Sequence, residues 1–142
     1  MTRFTRIAAS AMLATTLGLG ALAAPVATAP AEAGGQVSFT FNAQDQKQAN
    51  AMKAGLGLYA LANGLKSGGN IVQNGFGNMG GLNQTGSGNF GVVHQDGNGH
   101  TGTLTQNGNG NAHGLFQFGE NTNSAVNQTG NGQAGATVVI GW

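Results

Sequence analysis

A glutamine recurs every eleven residues through the second half of this chain, at Gln73, Gln84, Gln95, Gln106, Gln117 and Gln128. A glycine follows each one two positions later, at Gly75, Gly86, Gly97, Gly108, Gly119 and Gly130. Five positions after each glutamine come Asn78, Asn89, His100, Asn111, Thr122 and Gln133. So strict a period marks one supersecondary unit, repeated so that stacked neighbours share a continuous core.

The stretch from glycine to asparagine, such as "GSGN" or "GNGN", has the residues of a tight turn, because glycine takes positive φ without steric cost and asparagine tolerates it. The residues between turns are then extended, and alternation sorts them into two faces. One face is regular: it carries the glutamine and, two residues before it, Ile71, Leu82, Val93, Leu104, Leu115 and Val126. The other holds Asn83, His94, Thr105, Phe116 and Asn127 at one equivalent position, the irregularity of an unconstrained surface. The regular face is therefore the inside.

An eleven-residue unit is one strand and one turn, so two units make a 22-residue rung. The expected fold is an all-β repeat, a two-sheet, amyloid-like β-solenoid in which residues 67–142 supply seven units. At the ~4.8 Å strand spacing the stack is roughly 17 Å tall. Residues 22 apart lie over one another, which puts Gln73, Gln95 and Gln117 in one column and Gln84, Gln106 and Gln128 in a second. Each side-chain amide can donate to one neighbour and accept from another, and Asn78, Asn89 and Asn111 extend the same polar ladder. An unpartnered buried amide costs about 1–3 kcal/mol, so the in-register stack is preferred over a slipped one. The seventh unit, "QAGATVVIGW", departs from the pattern, with Thr137 at the aliphatic position and Val139 at the glutamine position.

The remaining half reads differently. Residues 1–33 have the pattern of a secretory signal: Arg3 and Arg6, an apolar run from Ile7 to Ala24, and a small-residue site at Ala31-Glu32-Ala33, which makes Gly34 the first mature residue. The product is expected to be secreted, with no transmembrane segment after signal removal. In the segment 34–66, "QVSFTFN" alternates as a short strand, and Ala43 to Asn63 places Ala49, Met52, Leu56 and Tyr59 at helical spacing with Asn42 as the cap. Gly55, Gly57 and Gly64 weaken that helix. The segment serves either export targeting or capping of the first rung.

Charge and chemistry exclude several functions. After Gly34, Lys47, Lys53 and Lys66 balance Asp45, Asp96 and Glu120 and no arginine remains, so there is no basic face for nucleic acid. The chain has no cysteine, hence no disulfide. Asp96 and Glu120 are the only acids on the repeats, and no nucleophile-base-acid spacing accompanies them, so enzyme function is not expected. Parity places His94 outside and His100 and His113 inside on different strands, which argues against a metal site. No cofactor is expected.

The segment "SGGNIVQNGFGNMGGLNQ", with Ser67, Gln73, Asn78 and Gln84 separated by five, four and five residues, resembles the repeat of curlins, the subunits of curli amyloid fibres on bacterial surfaces. The resemblance covers residues 67–142 and the export signal. It implies a secreted subunit that polymerises with itself into a cell-surface fibre for adhesion and biofilm matrix. It also implies as partners a second curlin subunit and an outer-membrane export channel. The chain has fewer rungs than the family's main subunit usually has, and its segment 34–66 is not the short Gly-rich export tag of well-known members, so both major and nucleating roles stay open. The unblunted repeats, which contain no Lys, Arg or Pro, agree with edge-to-edge assembly. The alternative is a monomeric solenoid that binds ice or carbohydrate through an outer row such as Thr101, Thr103 and Thr105.

Overall fold

The computed structural model describes residues 35–142; the signal assigned to 1–33 lies outside the described residues. Seven strands follow the eleven-residue period: β2 (Gly69–Asn74), β3 (Met79–Thr85), β4 (Phe90–Asn98), β5 (Thr101–Asn107), β6 (Ala112–Glu120), β7 (Asn123–Thr129) and β8 (Ala134–Gly141). Alternate strands enter opposite sheets, β2, β4, β6 and β8 in one and β3, β5 and β7 in the other. All contacts between successive rungs are parallel and offset by 22 residues, so that Gln73 lies on Gln95 and Gln95 on Gln117, while Gln84 lies on Gln106 and Gln106 on Gln128. The chain is a two-sheet β-solenoid of 22-residue rungs, with three full rungs and β8 as a final half.

Its corners are made by the glycines after each glutamine. Gly75, Gly86, Gly97, Gly108, Gly119 and Gly130 all have positive φ, and at the first five a Cβ would run into the carbonyl oxygen of the glycine one rung on. Backbone conformation and close stacking each demand the missing side chain. Two residues later a second left-handed position is glycine in most units, and Asn121 fills it in one with φ 52°.

The core is a thin column. Val93, Leu104, Leu115 and Val139 are fully buried, with Leu82 and Val126 packed against them. Ile71, in the end rung, remains 43% exposed. Val139 takes the glutamine position of the last unit and restores to the core the aliphatic that Thr137 removes from the neighbouring position.

The N-terminal segment corrects three expectations. It contains a strand, β1 (Gln36–Asn42), but this pairs antiparallel with β8, so the cap lies on the last half-rung and not on the first. The helix α1 spans Gln46–Ala62 rather than starting at Ala43, and its cap is Asp45, whose carboxylate accepts the Gln48 N–H at 2.7 Å; Asn42 is the last residue of β1. Gly64 lies beyond the helix and closes it: at φ 64° it lets Leu65 N–H reach Ala60 O at 2.8 Å and its own N–H reach Leu61 O at 3.2 Å.

The third correction concerns the outer surface. Ala49, Leu56 and Met52 of α1 pack on Phe90, Ala112, Phe116 and Ala134, the outward residues of the five-stranded sheet. Tyr59 meets Phe116 edge-on at 5.2 Å and its hydroxyl lies 2.6 Å from His94 Nδ1. His94 and Phe116 are thus outside the solenoid yet covered, whereas Asn83 and Asn127 on the three-stranded sheet face solvent.

Two glycine substitutions separate these roles. Gly108→Ala is expected to destabilise by about 3 kcal/mol or more, from a left-handed backbone and a collision with the next corner. Gly57→Ala, on an open face of α1, is expected to stabilise by about 0.5–1 kcal/mol. Urea unfolding midpoints of the two variants against the parent check both signs.

Candidate functional site: amide ladders and the ends of the stack

The glutamines predicted to stack do so. Gln73 Nε2 donates to Gln95 Oε1 at 2.7 Å and Gln95 Nε2 to Gln117 Oε1 at 2.8 Å; in the other column Gln84 donates to Gln106 at 2.7 Å and Gln106 to Gln128 at 2.9 Å. The second N–H of each inner amide goes to a backbone carbonyl, Met79 O for Gln95, Phe90 O for Gln106 and Thr101 O for Gln117. That bond fixes which end of the amide points up the stack, so both ladders have a polarity, with donors toward the C-terminal end. Gln95, Gln106 and Gln117 have no solvent exposure.

The asparagines work by another route. Asn89 Oδ1 accepts the backbone N–H of Asn111, and its Nδ2 donates to Gly108 O, so the side chain braces the turn one rung away rather than meeting another asparagine. Asn78 does the same to His100 N and Gly97 O, and Asn111 to Gln133 N and Gly130 O. Sequence reasoning missed a second, solvent-facing set at the corners, in which Asn98, Asn109 and Asn131 accept the N–H groups of Phe76, Ser87 and Asn109. The recurrent Asn between the two corner glycines was the available signal.

The glutamine column of the five-stranded sheet ends at β8, where Val139 lies over Gln117. Thr122 takes the spare amide proton of Gln117 at 2.9 Å and meets His100 Nδ1 at 2.8 Å. His113, also inside, contacts Thr137 Oγ1 through Nε2 at 3.0 Å, while its Nδ1 is buried with no hydrogen-bond partner among the described residues. Burial holds this imidazole down to about 4.

The two ends of the stack differ. At the N-terminal end both β2 and β3 are edge strands, and Ile71, Phe76 and Met79 around them are 43%, 85% and 67% exposed. At the C-terminal end β1 covers β8, but β7 remains an edge. Gln36 reaches across to the start of β7, where its carboxamide donates to Asn123 O at 3.1 Å and accepts Asn123 N–H at 2.8 Å, as a peptide of a neighbouring strand would. Beyond it runs an open groove of about 530 Å³, lined by Ser38 and Thr40 of β1, Thr137, His113, and Val126 and Gln128 of β7.

The threonine row occupies one rung only. Thr101, Thr103 and Thr105 are flanked by Met79, Gly81 and Asn83 on one side and Asn123, Ala125 and Asn127 on the other, so no column of hydroxyls forms. Among the described residues no helix is long and apolar enough to cross a membrane. The chain matches no protein-family model, no curated protein and no solved structure.

Replacing Gln106 with Leu strands the amide of Gln84, the carbonyl of Gln128 and the Phe90 carbonyl, and is expected to cost about 3 kcal/mol or more. Gln73→Leu, at the exposed end with one ladder partner, is expected to cost about 1 kcal/mol. Urea titration of both variants checks the contrast. His113 supplies a pH dependence. Its folded pKa of about 4 lies below the unfolded value of roughly 6.5, so the unfolded state takes up a proton first as pH falls. Stability is fully present above about pH 6.5 and is lost toward pH 4, by on the order of 3 kcal/mol. Unfolding midpoints measured across that window should fall less steeply in His113→Gln than in the parent.

Proposed function

We propose that this chain is a secreted structural subunit that stacks end to end with copies of itself into an extracellular, curli-like fibre serving adhesion and biofilm matrix. The observation that carries the reading is the first rung, bare among the described residues: β2 and β3 expose strand edges, and Gln73 and Gln84 there have amide oxygens that no ladder donor meets. An edge whose amides already repeat in register is a template for another rung of the same kind. The repeat's likeness to curlins supports the same role, with a second curlin subunit and an export channel as proposed partners. No catalytic step or cofactor is part of this reading.

The closure of β8 by β1 favours a second reading, a solenoid that stays monomeric and binds ice or carbohydrate through its exposed three-stranded face. Thioflavin T kinetics on purified residues 34–142, followed by electron microscopy and fibre diffraction, separate the two. The first reading predicts a lag, then fibres with spacings near ~4.7 and ~10 Å. A dye-negative monomer at high concentration would instead support the second.

A further inference from the structure

The number of strands decides how one copy can follow another. The stack begins with β2 in the five-stranded sheet and, after seven half-rungs, ends with β8 in the same sheet. Continuing the winding would put the next strand over β7 and the one after it over β8. A second copy can therefore extend the solenoid only if it is turned half-way about the axis, with its β2 over β7 and its β3 over β8.

The first of these places is open beyond Asn123, which Gln36 holds, and is chemically matched. In that register Gln73 of the incoming copy falls on Gln128, Ile71 on Val126 and Gly69 on Ser124, the spacing that relates every pair of stacked strands in this chain. Gln128, the last donor of its column, meets the amide oxygen of Gln73, which has no donor among the described residues of its own chain. The groove beside β7 is where the incoming strand would lie. The second place is occupied: β1 sits on β8 across seven residue pairs, from Gln36 opposite Gly141 to Asn42 opposite Gly135. The residues on its inward face are Gln36, Ser38, Thr40 and Asn42; Thr40 meets Thr137 hydroxyl to hydroxyl at 3.1 Å and the Gln36 carboxamide is taken up by Asn123, so β1 seals the end without placing a glutamine over the ladder.

Resting on the assembly reading above, we propose that β7 and β8 form the seat for the first rung of a second copy, and that β1 is a removable cap over the β8 half of that seat. Exchange of β1 for the incoming β3 replaces one set of strand hydrogen bonds by another, so the gain comes from the new pairing on β7. Gln84 of the incoming copy lies over Val139, which gives it no amide partner, and this mismatch helps β1 hold its place. The cap joins α1 through the short link of Ala43 to Asp45 and takes part in none of the rung-to-rung pairings, so its release leaves those pairings in place.

The test is a lock. The chain has no cysteine, so Thr40→Cys with Thr137→Cys, introduced at facing positions, gives a single disulfide that ties β1 to β8. Assembly is followed by thioflavin T and sedimentation for the oxidised form, the same protein after reduction, the parent, and Phe39→Lys, which replaces the outward apolar residue of β1 paired with Val138 by a charge. The oxidised form should lose fibre growth, the reduced form should regain it, and Phe39→Lys should shorten the lag. Growth of the locked form at the rate of the reduced one overturns the cap while leaving end-to-end assembly standing. Failure of all four forms to assemble overturns the assembly reading and the cap with it.

Discussion

The structure depends on one constraint: a carboxamide inside a narrow β-stack must have its donors and acceptors met by the rungs above and below it. Gln95, Gln106 and Gln117 are wholly buried; Gln95 and Gln106 are each held by a ladder partner on either side and a backbone carbonyl, and Gln117 by Gln95, the Thr122 hydroxyl and a backbone carbonyl. A slip of one residue would turn these amides outward and bring the opposite face in. Because the fully buried aliphatics of the central column are few, Val93, Leu104, Leu115 and Val139, apolar burial alone would specify the register weakly. The amides supply the specificity, and the corner glycines allow the rungs to approach closely enough for the amides to meet.

A ladder of this kind has no internal reason to stop. The chain ends one of its two columns by changing composition: Val139 replaces the glutamine, Thr122 takes the spare amide proton, and β1 closes the edge of β8. The other column ends bare at Gln128, with only Gln36 satisfying the start of the β7 edge. At the opposite end neither strand is closed by another of the described residues. The result is a polar object with one open face and one half-sealed face, which is the geometry a directional stack requires.

Much of the solenoid was legible because its information is local and periodic. The position of each glutamine, its turn glycine and its aliphatic follows from counting by eleven and from strand parity, and the observed register matches at every pair. What could not be read was long-range. The pairing of β1 with β8 joins residues about a hundred positions apart, and nothing in "QVSFTFN" names its partner; an antiparallel cap and a first-rung cap have the same alternation. The outer face looked unconstrained because His94 and Phe116 differ in type, yet both fit beneath Tyr59. The helix start was misplaced because Asn42 and Asp45 are both good caps, and pairing of Asn42 with Gly135 removed it from the choice. The asparagine columns were expected as amide-to-amide ladders, but their shorter side chains reach the backbone of the next turn instead.

The most direct test of the central role given to the amides is a double-mutant cycle on Gln95 and Gln117, whose side chains bond at 2.8 Å. Urea unfolding would be measured for the parent, each single change to leucine, and the double change. If stacking amides hold the register, each single variant leaves its neighbour unpartnered and the double variant loses less than the sum, with a coupling of about 1 kcal/mol or more. Additivity to within about 0.3–0.5 kcal/mol would mean that the two amides act independently, and the ladder would not be what sets this fold.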